Sequence, residues 1–70
     1  MQTLLAITIN GERREAQQGA TVADLLQELN LPPGRVAIER NLEILPRPQW
    51  NETAVQPGDR YEIVHFVGGG

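Results

Sequence analysis

The 70-residue chain contains no cysteine, no lysine and no serine, and it has one tryptophan, one tyrosine and one phenylalanine. Without cysteine there is no thiol nucleophile, no side-chain persulfide, no thiolate metal site and no disulfide. Without serine there is no Gly-x-Ser-x-Gly nucleophile elbow, and no paired carboxylates stand at a spacing that marks an enzyme. The glycine-rich loop followed by lysine that cradles NTP phosphates is also missing. Lysine's absence removes every side-chain amine on which the chain would receive an isopeptide bond. His65 is the single histidine, so a metal site has no second nitrogen or sulfur ligand to build on. Net charge is −3, and the arginines are scattered rather than striped, which argues against nucleic acid as a partner. No apolar run reaches membrane-spanning length, and Met1-Gln2-Thr3 has no cationic leader segment. The expected location is therefore the cytoplasm, away from any membrane. With 70 residues and no staple, the chain makes one domain with a small core, a size that favours a carrier or binding module over an enzyme.

What is present is regular patterning. Leu5, Ile7 and Ile9 alternate with Ala6 and Thr8, which predicts a half-buried strand through about Ile9. Asn10-Gly11 tolerates the positive φ of a tight hairpin, so residues 12–16 should return antiparallel. Thr21 with Asp24 three residues later reads as a helix N-cap. Val22, Leu25, Leu26 and Leu29 then form one apolar stripe, leaving Asp24, Gln27 and Glu28 to solvent. Asn30 and Pro32-Pro33-Gly34 stop the helix near Leu29 or Asn30. Val36 and Ile38 predict a central strand, Asn41 a turn, and residues 43–45 an edge strand. Pro46, Pro48 and Trp50 open an irregular stretch that closes at Pro57-Gly58-Asp59, with Trp50 expected to plug one end of the core. In the last strand Tyr61, Ile63 and His65 share one face, while Arg60, Glu62, Val64 and Phe66 share the other. Tyr61 and Ile63 are the predicted core residues.

The order β-β-α-β-β-β predicts an α+β, ubiquitin-like β-grasp fold, with one main helix packed across a mixed sheet. The expected division is a folded domain over residues 1–67 and an extended, flexible Gly-Gly tail over residues 68–70. Val64 and Phe66, apolar on the outer face beside that tail, are candidate docking residues. Two consecutive glycines at the last positions arise by chance in about one chain in 200 at average usage, which favours a functional reading over a passive tail. Glycine has no Cβ, so Gly68-Gly69-Gly70 can thread a narrow channel and present a carboxylate to another protein.

These pieces together resemble the thiamine-pathway sulfur carrier family, related to the small subunit of molybdopterin synthase and to ubiquitin. The resemblance is carried by Ile9-Asn10-Gly11, residues 21–26, residues 36–41, Ile44-Leu45-Pro46-Arg47 with Trp50, Pro57-Gly58-Asp59, and Glu62-Ile63-Val64 leading into Gly68-Gly69-Gly70. It implies a non-enzymatic carrier whose Gly70 carboxylate is adenylated by a ubiquitin-activating-type enzyme. ATP and Mg are then used by that partner, and this chain binds no cofactor. The resemblance further implies a cysteine desulfurase or sulfurtransferase as sulfur source, a Gly70 thiocarboxylate as product, and thiazole synthase as acceptor. Gly69 and Gly68 would supply threading and reach. The alternatives are a sulfur carrier for molybdopterin or tRNA thiolation, a ubiquitin-like modifier, or an interaction domain with an inert tail.

Arg13, Arg14, Arg47, Arg60, Asp59 and Glu62 are expected on solvated faces, the usual place for unpaired charges. His65 is expected to be structural or superficial. A methyl group added in a close-packed channel costs about 1–3 kcal/mol, or about 5- to 150-fold in binding. Gly69→Ala should therefore lose adenylation, measured by pyrophosphate release with the activating enzyme, while its thermal unfolding stays that of the unmodified chain.

Overall fold

The computed structural model describes residues 3–66. The expected tail, residues 68–70, and the expected domain boundary at residue 67 lie outside the described residues. Strands β1 (Leu4–Ile9) and β2 (Glu12–Gln17) pair antiparallel from Leu4↔Gln17 to Ile9↔Glu12. Their turn places Asn10 at φ 50° and Gly11 at φ 82°, the two left-handed residues whose twist matches that of a hairpin. One face of β1 points inward, with Ile7 and Ile9 buried and Leu5 partly so, while Leu4 and Ala6 are exposed.

Helix α1 (Val22–Glu28) begins where its sequence predicts. The Asp24 N–H donates to Thr21 Oγ1 at 3.2 Å and the Thr21 N–H donates to Asp24 Oδ2 at 3.0 Å, a reciprocal capping box. The remaining free donors of the first turn are also satisfied. The Val22 N–H donates to the Thr53 carbonyl and the Ala23 N–H to the Trp50 carbonyl. The helix start is thereby tied to the long irregular segment. At the other end Asn30 takes φ 59°. The Asn30 N–H donates to the Gln27 carbonyl and the Leu31 N–H to the Leu26 carbonyl, the double bond pattern that closes a helix with a left-handed residue.

A 3₁₀ turn (Pro33–Arg35) leads into β3 (Val36–Arg40), followed by β4 (Glu43–Ile44), a second 3₁₀ turn (Arg47–Gln49) and β5 (Arg60–His65). Neither 3₁₀ turn is visible as a pattern, because three residues are too few to show a period. The sheet order is β2-β1-β5-β3-β4. β1 and β5 run parallel through Thr8↔Arg60 and Ile9↔Tyr61, and β3 and β5 pair antiparallel over five residues. β5 thus takes the middle of the sheet. β3, expected to be a central strand, lies between β5 and β4, and β4 forms the edge as expected. The mixed five-stranded sheet with one helix across it is the β-grasp arrangement.

The core joins Ile7, Ile9 and Ala16 of the hairpin, Val22, Leu25 and Leu26 of α1, Val36 and Ile38 of β3, Tyr61 and Ile63 of β5, and Trp50 and Val55 from the irregular segment. Trp50 closes one end of it, its Nε1–H donating to the Leu45 carbonyl at 2.9 Å. The Arg47 guanidinium lies 5.8 Å from the centre of the tryptophan ring. Removing a helix N-cap typically costs about 1 kcal/mol, and about 4–8 °C in a domain of this size. Thr21→Ala should lower Tm by that amount in a calorimetric scan and leave the far-ultraviolet spectrum at low temperature unchanged.

Candidate functional site

The site is built on the last strand because β5 leads directly to the glycines. Gly70 is the fourth residue after Phe66. Four residues span at most about 14 Å, so a protein acting on Gly70 would meet the surface around the end of β5.

That surface is the outer face of the sheet, turned away from α1. Val64 and Phe66 are 57% and 55% exposed, as the alternation of β5 predicts. Ile44, 77% exposed, joins them and lines a hollow with Val64, whereas Leu42, 78% exposed, lies at the other end of β5, in the turn beside Arg60. Neither was legible as a surface residue, since a two-residue strand is too short for alternation to assign a face. Leu42 follows Asn41 in the β3–β4 turn, and both have positive φ, 52° and 72°. For a leucine this left-handed geometry costs about 1–2 kcal/mol relative to the ordinary helical region. Glycines 68, 69 and 70, the expected reactive and threading residues, lie outside the described residues. His65 is exposed, and Arg60 and Glu62 are exposed on the outer face as expected. Among the described residues there is no group of three or more metal-ligating side chains.

Asp59 departs from expectation. It is 4% exposed, not solvated, and it ties the end of β3 and the β3–β4 turn to the start of β5. Its Oδ2 accepts from the Tyr61 hydroxyl at 2.7 Å, the Gln56 N–H at 2.9 Å and Arg40 Nε at 3.0 Å, while Oδ1 accepts from Asn41 Nδ2 at 3.1 Å. Asn41 Oδ1 in turn accepts from the Arg60 N–H at 3.0 Å. A charged side chain after a Pro-Gly turn reads as exposed because its partners Arg40 and Asn41 lie 19 and 18 residues earlier in the chain. The one local signal was the turn itself: Gly58 at φ 82° and the Gln56 N–H fold the aspartate back over the loop.

Burial pushes the Asp59 carboxyl up, but the Gln56 N–H, the Tyr61 hydroxyl, the Asn41 amide and the Arg40 guanidinium together hold it below its ordinary value of 3.8. Tyr61 is pushed up to about 12 by burial and by donating to Asp59, partly offset by Arg40. Burial lowers Arg40, and its contacts with Tyr61 and Asp59 more than restore it. The network is fully paired, with no buried side-chain nitrogen or oxygen left without a partner among the described residues. It ties the β3–β4 turn to β5 and so fixes Leu42 and Ile44 relative to Val64.

The architecture defines a ubiquitin-like β-grasp domain. The sequence pattern of the ThiS family matches residues 7–70, and the chain belongs to that family. It is 47% identical over 66 residues to a thiazole synthase of Paramagnetospirillum magneticum, covering 94% of this chain and 20% of that protein. It is 32% identical over 66 residues to the sulfur carrier protein ThiS of Escherichia coli K12, covering 94% of this chain and all of the carrier. The crystal structure of the thiamine biosynthesis protein ThiS from Geobacter metallireducens superposes with a TM-score of 0.77 at 34% identity, covering 94% of this chain and 100% of that one. The chain therefore spans a fifth of the length of the thiazole synthases it resembles and the whole length of the Escherichia coli carrier. No helix among the described residues is long and apolar enough to cross a membrane.

Because the Asp59 carboxyl titrates lower in the folded chain than in the unfolded one, its contribution to stability is complete above about pH 5 and is lost as pH falls through the depressed value. Tyr61 has the opposite sign, contributing fully below about pH 10 and losing that contribution as pH rises through about 12. Asp59→Ala strips four donors of their acceptor and should cost about 2–3 kcal/mol at pH 7. Denaturant titrations from pH 2 to 7 should show this penalty shrinking toward acid.

Proposed function

We propose that the chain is a sulfur carrier for thiamine biosynthesis, acting through Gly70. The observation that carries this reading is the family match, which runs over residues 7–70 and includes Gly68, Gly69 and Gly70. A glycine carboxylate is a poor acyl donor because its leaving group would be oxide. Attack of the Gly70 carboxylate on the α-phosphorus of ATP expels pyrophosphate and gives an acyl adenylate. The terminal sulfur of a persulfide then bonds to the carbonyl carbon as AMP leaves. A partner thiol takes the sulfur–sulfur bond as a disulfide and frees Gly70 as a thiocarboxylate.

No residue of this chain performs those steps. The fold is the handle: a small body that a ubiquitin-activating-type adenylyltransferase, a cysteine desulfurase or sulfurtransferase, and the acceptor enzyme each grip in turn. Val64 and Phe66 are the docking residues closest in sequence to the reactive end. ATP and Mg belong to the activating partner. Thiazole synthase is favoured as acceptor over enzymes of molybdopterin or tRNA thiolation because two proteins named thiazole synthase contain a stretch similar to this chain. A carrier that works in this set of enzymes would be cytoplasmic.

Incubation with a candidate activating enzyme, Mg-ATP, cysteine and a desulfurase, followed by intact mass and C-terminal fragmentation, should show one oxygen of Gly70 replaced by sulfur. An unchanged end, with an activating enzyme proven on its own carrier, would point instead to an interaction domain with an inert tail.

A further inference from the structure

The register of β3 against β5 sets Glu39 directly opposite Glu62. Both side chains are exposed on the outer face of the sheet. Cβ atoms so paired stand roughly 4.5–5.5 Å apart, and like charges in that position oppose folding. Neither glutamate makes an ion pair among the described residues. Arg40, their neighbour on β3, is committed to Asp59 on the other side of the sheet at 3.0 Å.

The pair is not isolated in an acidic surround. Ile44 stands beside Glu39 on the β4 side, and one step along the strands Ala37 faces Val64. Ala37 is small, so these residues with Ile38 enclose a shallow hollow of about 130 Å³. That is room for the end of one long side chain. Its walls are apolar, Ile44 and Val64, and its rim carries two carboxylates with no cation of their own.

We propose that the hollow is the docking point for an arginine of the activating enzyme, and this deepens the carrier reading on which it rests. The aliphatic stem would lie against Ile44 and Val64, and the guanidinium would bridge Glu39 and Glu62. Arginine fits better than lysine because its planar fork places several donors on two acceptors at once. Val64 is two residues before Phe66 and so belongs to the surface within reach of Gly70. An enzyme holding the arginine here has the reactive end beside it. The cost of opposing two glutamates in the free chain becomes specificity in the complex, since only a cation relieves it.

The inference predicts opposite effects on the free and bound states. Glu39→Gln and Glu62→Gln should each raise Tm of the free chain by about 1–5 °C. Each should weaken binding of the activating enzyme 10- to 100-fold in calorimetric titration, with a shallower dependence on salt. Glu28→Gln on the exposed side of α1 changes net charge equally and should leave affinity unchanged. Binding by the wild-type chain that survives in both variants overturns the proposal while leaving the carrier reading intact. A loss equal to that of Glu28→Gln overturns it too, by assigning the effect to net charge. Wild-type binding with the expected losses but no change at Gly70 supports the docking point and overturns the carrier chemistry. Concentration-dependent dimerisation of the free chain that Ile44→Ala abolishes would give the face to a second copy and overturn the proposal.

Discussion

Asp59 is the constraint around which the rest of the molecule is arranged. A carboxylate taken out of water is costly unless its lone pairs are filled. Here four donors arrive from a turn amide, an asparagine, an arginine and a tyrosine hydroxyl. Those donors belong to β3, to the β3–β4 turn, to β5 and to the loop before it. The aspartate can be satisfied only when all of them are in place, so it acts as a test of correct assembly. A domain of 70 residues has a net stability of about 4–10 kcal/mol, which makes one such network a large share of the total.

The same logic of closing every donor explains the irregular segment between β4 and β5. Its long path would be entropically loose if it merely crossed the surface. Instead its carbonyls receive the first N–H groups of α1, and Val55 returns its own N–H to the Ala20 carbonyl. Trp50 enters the core and bonds the Leu45 carbonyl. Asn10 does similar work at the other side, its side chain both accepting from the Ile63 N–H and donating to the Ile63 carbonyl. This adds a rung to the short parallel ladder between β1 and β5. Side chains thus complete the sheet where backbone pairing runs out, while Val64 and Ile44 on its outer face stay exposed.

Much of this was legible before any coordinates. The Asn10-Gly11 hairpin, the Thr21 cap, the apolar stripe of α1, the Asn30 stop and the two faces of β5 follow from local rules that act over a few residues. The exposure of Val64 and Phe66 followed from the same alternation. Illegible were the place of β5 at the centre of the sheet, the burial of Asp59 and the exposure of Ile44. Strand order depends on contacts between distant segments, and a two-residue strand carries no period. Asp59 looked like any acid after a turn because nothing near it in sequence announces Arg40 or Asn41.

The sequence by itself determined the strands and the helix, their order, the inner and outer faces of the longer strands, and the absence of any cysteine thiol or serine hydroxyl. These are properties of composition and short-range geometry. Tertiary structure alone decided which strands are neighbours, and with that which charges meet. It buried Asp59 among four donors and set Glu39 against Glu62 with no ion-pair partner among the described residues, although all three are ordinary acids in the sequence. The reason is that the free energy of a charge depends on what surrounds it in space, and in a β-grasp sheet those surroundings come from segments far apart in the chain.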